Sequence, residues 1–95
     1  MEKITRFYVG LEGADKQKQY NREDVEELIK YYVNAGTFFK AKGLWKRDFE
    51  NSIVFEVVNF NEASSISSES LKKKLEKEFN QESVLKIEFE ADVEF

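Results

Sequence analysis

Residues 37–60 read TFFKAKGLWKRDFENSIVFEVVNF. Aromatic and β-branched residues open and close the stretch, and a polar run at 47–52 divides it. The pattern predicts strands at 37–46 and 53–60 joined by a turn, an antiparallel hairpin. The second strand, IVFEVVNF, is apolar on both faces except at Glu56 and Asn59, so it is expected at the centre of a sheet. In the first, Phe39, Ala41, Gly43 and Trp45 share one face, and Phe38, Lys40, Lys42, Leu44 and Lys46 the other. Gly43 inside a strand signals a bulge or a close backbone approach. A bulge would turn Trp45 to the opposite face, so its side stays open.

Outward from this hairpin the periods are clear. Residues 4–11, ITRFYVGL, favour a strand whose core face carries Thr5, Phe7, Val9 and Leu11. A polar loop follows at 12–20, long enough to carry function. Val25, Leu28, Ile29, Tyr32 and Val33 fall at helical spacing and predict a helix over 22–34, with Asn21 as N-cap and Gly36 as its stop. Residues 61–67 read as loop. A second helix is expected at 68–80, with Ser67 as N-cap, an Ile66–Leu71 staple and a stripe of Leu71, Leu75 and Phe79. Residues 84–95 alternate without a break, which predicts a half-buried strand.

The order β-α-β-β-α-β predicts one α+β domain over residues 1–95, a ferredoxin-like split βαβ fold with two helices on one sheet face. The expected strand order is 4-1-3-2, counted along the chain, with the second and fourth strands at the edges. The uncovered face is expected to carry Arg6, Tyr8, Lys40, Lys42, Leu44, Val54, Glu56, Val58, Lys86, Glu88 and Glu90, with an Arg6–Glu56 pair. An apolar patch of Tyr8, Leu44, Val54 and Val58 on so small a chain predicts a homodimer or higher homo-oligomer.

Composition narrows the chemistry. The chain of 95 residues contains no His, no Cys and no Pro. That excludes disulfides, Cys or His zinc sites, and nucleophile pairs built on His or Cys. Fifteen Lys and Arg against nineteen Asp and Glu give a net charge of −4, which argues against a nucleic-acid polymer as partner. With no signal-peptide run and no long apolar segment, the expectation is a cytoplasmic protein that does not engage a membrane.

Several landmarks resemble those of an uncharacterised family of short bacterial domains, some carried by phages or mobile elements. They are Phe7–Leu11 (FYVGL), Gly43–Trp45 (GLW), Glu50–Ser52 (ENS), Phe79–Leu85 (FNQESVL) and the closing Val93–Phe95 (VEF). That family is richer in Gly and Pro through its middle segment, where this chain is shorter and has no Pro. The resemblance implies the fold and brings no catalytic assignment.

Four features are candidates for chemistry. Lys40, Lys42, Trp45, Lys46 and Arg47 gather cations beside a stacking surface for a base, or else protect an edge strand. Gln81 and Ser83, at the junction 79–84, offer hydrogen bonds to a ligand or to the end of the helix. The row Glu88, Glu90, Asp92 and Glu94 suits a basic partner or plain solubility. The loop 12–20 with Tyr8 and Glu50 would place a carboxylate, a phenol and a backbone glycine around a pocket at one end of the sheet. The run Lys72–Lys74 reads as a solvated helix face.

The resulting expectation is a non-enzymatic oligomeric binding protein for a small anionic ligand, with a nucleotide-like molecule as the candidate. Its site would use Tyr8, Lys40, Lys42, Trp45, Lys46, Arg47 and Gln81, with no catalytic residue, metal or cofactor. The alternative is a small inhibitor or accessory factor that acts on a host protein through its sheet face or charged edges.

Overall fold

The computed structural model describes residues 1–13 and 18–95. The middle of the loop expected at 12–20 therefore lies outside the described residues. The elements are β1 (Glu2–Gly10), α1 (Arg22–Tyr32), β2 (Thr37–Trp45), β3 (Asp48–Val58), α2 (Phe60–Ala63), α3 (Ser68–Glu78) and β4 (Leu85–Ala91). The four strands form one antiparallel sheet in the order β2-β3-β1-β4, which is the expected order. The fold is α+β. It departs from the simple β-α-β-β-α-β series because the one-turn helix α2 occupies part of the expected loop at 61–67.

The core lies between the sheet and the helices. Phe7 and Val9 of β1 and Ile53, Phe55 and Val57 of β3 meet Val25 and Ile29 of α1 and Leu71 and Leu75 of α3. The two helical stripes are buried as their spacing requires. Ser67 caps α3 by accepting from the Ser70 N–H at 3.1 Å. Asn21 sits at the N-cap of α1, but its side chain makes no cap bond. Gly36 does not stop α1, which ends at Tyr32. Its role is close packing, because a Cβ there would run into the Phe55 ring.

The strand phases correct the expected open face. Direct cross-strand partners share a face. Phe39 pairs with Val54, Val54 with Tyr8, and Tyr8 with Leu85, so one row crosses all four strands on the side opposite the helices. The next row is Thr37, Glu56, Arg6 and Ile87. The open face therefore carries Phe39, Ala41, Gly43 and Trp45 from β2, and Leu85, Ile87 and Phe89 from β4. Lys40, Lys42 and Leu44, with Lys86 and Glu88, lie on the helix side, the reverse of expectation. The helices pack mainly over the central strands; on the edges Phe38 of β2 still packs against the core, Lys86 of β4 is tolerated by its partners on α3, and the other charges are exposed. Val84, of the same parity as Lys86, is still core. Beyond it Lys86 bonds to Ser68 at 3.1 Å and pairs with Glu69, tying β4 to the start of α3.

Pairing continues through Gly43 opposite Glu50 without a bulge, so Trp45 keeps the face of Gly43. The turn is also shorter than expected. Trp45 pairs with Asp48, leaving only Lys46 and Arg47 as the loop, both at positive φ (49° and 68°). That is the geometry of a type I′ turn, which ordinarily takes Asn-Gly.

Candidate functional site

At the Gly10 end of the open face the side chains shrink. Ala41 lies opposite Ser52, and Ser52 opposite Gly10, a row of small residues across three strands. The adjoining pair is Gly43 and Glu50. Small residues in the floor with large ones at the rim make a pit. A cavity of about 530 Å³ lies here, lined by Tyr8, Gly10, Glu12, Gly13, Ala41, Lys42, Gly43, Leu44, Trp45, Lys46, Glu50, Ser52, Gln81, Glu82, Ser83 and Leu85.

The floor must be glycine at two positions. A Cβ on Gly10 would stand 2.7 Å from Glu50 Oε1 and 2.9 Å from Gln81 Oε1. A Cβ on Gly43 would stand 2.9 Å from Ser52 Oγ. This close approach is the second of the two explanations that Gly43 allowed. The bare backbone of Gly10 lets a carboxylate from β3 and an amide carbonyl from the α3–β4 turn converge.

Gln81 is oriented by its own nitrogen. Nε2 donates to the Glu12 carbonyl at 2.7 Å and to the Phe79 carbonyl at 2.9 Å. Both amide protons are thereby used on backbone, and the acceptor Oε1 is turned toward Gly10. The turn that carries it is held from α3. Glu76 accepts the Val84 N–H at 2.8 Å and pairs with Lys72 at 2.6 Å. Burial works to raise the Glu76 carboxyl, but the bonds from Lys72 and Val84 outweigh it and hold the group below the ordinary glutamate range.

Tyr8 forms the wall toward the centre of the sheet. Its hydroxyl accepts from Arg6 Nη1 at 3.4 Å. Arg6 also donates from Nε to Glu56 at 2.8 Å, as the sequence anticipated, and lies 5.1 Å from the Phe89 ring centroid. The bonds to Tyr8 and Glu56 raise the Arg6 pKa further, so its charge is permanent.

The structure brings together Tyr8, Lys42, Trp45, Lys46 and Gln81 of the residues singled out from sequence, and Glu50 and Glu12 join them as the loop reading proposed. It separates the cationic cluster. Lys40 does not line the cavity, whereas Lys42 does, with its ammonium 5.3 Å from the Phe49 ring centroid. Arg47 is at the exposed tip of the turn, outside the cavity lining. Alternation counted from Phe39 would have separated Lys40 and Lys42 from Trp45 had the Gly43 pairing been known to be regular. Among the described residues no group of three or more acids is gathered to hold a metal ion, and no helix is long and apolar enough to cross a membrane.

No protein-family model and no curated protein matches the chain. Among solved structures, a phage SAM lyase in its apo state is similar, with a TM-score of 0.66 and 23% sequence identity over 92% of this chain and 78% of the other. At that identity the likeness shows the fold.

Proposed function

We propose that the cavity binds S-adenosylmethionine (SAM) or a close analogue, and that the chain cleaves it as a lyase. The observation that carries this reading is the convergence of the Glu50 carboxylate and Gln81 Oε1 over the bare backbone of Gly10, between Tyr8 and Trp45. Two acceptor oxygens with aromatic walls suit a cation attached to a flat, stackable group. A sulfonium nucleoside has both. The fold likeness to a SAM lyase supports the same ligand. Gln81, Glu82, Ser83 and Leu85 of the FNQESVL landmark line this cavity.

The chemistry fits a chain that has no His or Cys. The sulfonium departs as a neutral thioether, keeping the electron pair of the broken C–S bond and needing no proton from an acid, while the ligand's own carboxylate oxygen closes onto the carbon it leaves, so that the two products together have the mass of SAM. What the site must supply is orientation and a fixed electrostatic environment. We favour this reading over a purely non-enzymatic, anion-selective binder, because Glu50 and Gln81 present acceptor oxygens to the cavity and two of the expected cations, Lys40 and Arg47, lie outside its lining.

The test is incubation of the purified protein with SAM, followed by mass spectrometry. Lyase action predicts first-formed products whose masses sum to SAM, with no oxygen taken from labelled water. Glu50→Gln is expected to abolish consumption while remaining folded. SAM that is neither bound nor consumed would sink the proposal, and SAM bound but left intact would reduce it to a binding module.

We also propose that the open face joins a second copy of the chain in a homo-oligomer. Phe39, Leu85, Ile87 and Phe89 are exposed there, while the central charges, Arg6 and Glu56, are already paired. Such a face loses apolar exposure on association without stranding a charge. A monomer that instead captures one host protein would favour the inhibitor or accessory reading.

A further inference from the structure

Lys46 is an expensive residue for its position. It occupies the first central place of a type I′ turn at φ 49°, a left-handed conformation that Asn or Gly takes more readily than lysine. Its ammonium reaches the α3–β4 turn, 3.4 Å from both Glu82 oxygens, and lies 5.7 Å from the Trp45 ring centroid. Both partners are well exposed and the contact is long, so the pair contributes little to stability. Local energetics therefore do not account for a lysine here. Its location does, because Lys46 and Glu82 both belong to the cavity lining and the pair spans two of its walls.

We infer that Lys46 is the specificity residue for the ligand's carboxylate, which it takes up in exchange for Glu82. The inference rests on the SAM reading and deepens it. SAM carries a sulfonium cation that calls for acceptor oxygens and a carboxylate that calls for a cation. Glu50 and Gln81 supply the first from the floor, and Lys46 supplies the second from the rim. The weak pair with Glu82 keeps the ammonium in place without committing it, so the exchange loses little.

The experiment compares SAM with decarboxylated SAM, which keeps the sulfonium and adenosine and lacks the carboxylate. Binding is read by stopped-flow fluorescence of Trp45, before any turnover, on the wild type, Lys46→Asn and Glu82→Gln. Asn is favourable at this turn position, so Lys46→Asn should keep the hairpin, which circular dichroism checks. The wild type is expected to prefer SAM by about tenfold, the scale of one charge-assisted hydrogen bond. Lys46→Asn should erase the preference, and Glu82→Gln should widen it by freeing the ammonium. A preference unchanged in Lys46→Asn, or absent from the wild type, overturns the inference and leaves the SAM reading standing. Failure of the wild type to bind either compound overturns both.

Discussion

Ile4 of β1 lies directly opposite Phe89 of β4 on the face away from the helices, and the Phe89 ring meets the Arg6 guanidinium. Ile4 is buried although it stands outside the core cluster formed with the helices, and Phe89 beside it is over a third exposed. Phe89 belongs to the open-face apolar surface proposed to meet a second copy. Phe89→Glu would place a carboxylate within it. We expect the wild type to sediment as a homo-oligomer and Phe89→Glu as a monomer with a similar circular dichroism spectrum. A monomeric wild type at micromolar concentration would refute the proposed interface.

Trp45 is the single tryptophan of the chain, half-exposed at the cavity rim. Its emission should therefore report occupancy. SAM is expected to shift or quench it with a saturable dependence that Glu50→Gln removes. Fluorescence that follows SAM identically in both proteins would assign the signal to something other than the cavity.

Gly10 and Gly36 are both close-approach glycines, yet they should respond differently to a methyl group. At Gly10 the Cβ meets the ends of two flexible side chains, Glu50 and Gln81. Gly10→Ala is expected to cost less than about 1 kcal/mol of stability and to abolish SAM binding by displacing both acceptors. At Gly36 the Cβ meets the Phe55 ring and stands 2.9 Å from the Glu56 carbonyl oxygen, which cannot swing aside. Gly36→Ala is expected to cost roughly 1–3 kcal/mol and to leave the cavity lining intact. Urea unfolding with SAM titration separates the two effects.

Glu76 links stability to pH. Its folded-state pKa lies below the ordinary value, the net result of burial opposed by Lys72 and the Val84 N–H. In acid the unfolded chain therefore binds this proton before the folded chain does. The stabilisation is complete above the ordinary glutamate pKa and is lost as pH falls through the folded value. Urea midpoints measured from about pH 7 down to about pH 3 should fall less steeply in Glu76→Gln than in the wild type. At neutral pH, Glu76→Ala should cost about 1–2 kcal/mol, because Val84 loses its acceptor. Equal slopes for wild type and Glu76→Gln would show that other carboxylates govern the acid limb.

The amino-acid sequence by itself determined the strands, the two principal helices and their buried stripes, and the strand order. These follow from local period and from crossover handedness. Val25 with Ile29, and Leu71 with Leu75, have one way to be buried together on their helices. The apolar run at 53–60 has one comfortable place, the middle of the sheet. The Arg6–Glu56 pair followed in turn from placing those two strands side by side.

Only the tertiary structure decided which face each edge strand presents. Alternation fixes the period of β2 and β4 but is unchanged when the strand is turned over. The expected rule, apolar side toward the helices, failed because the helices reach mainly over β1 and β3. Phe39, Trp45, Ile87 and Phe89 consequently face away from the core, and Lys40, Lys42 and Lys86 lie on the helix side. The site was legible in part. Tyr8, Lys42, Trp45, Lys46 and Gln81, with Glu50 and the loop at its end, were marked by chemistry. Their convergence depends on Gly10 and Ser52 meeting across two strands and on Gln81 being turned by backbone carbonyls 69 and 2 residues away, contacts that only the folded chain brings together.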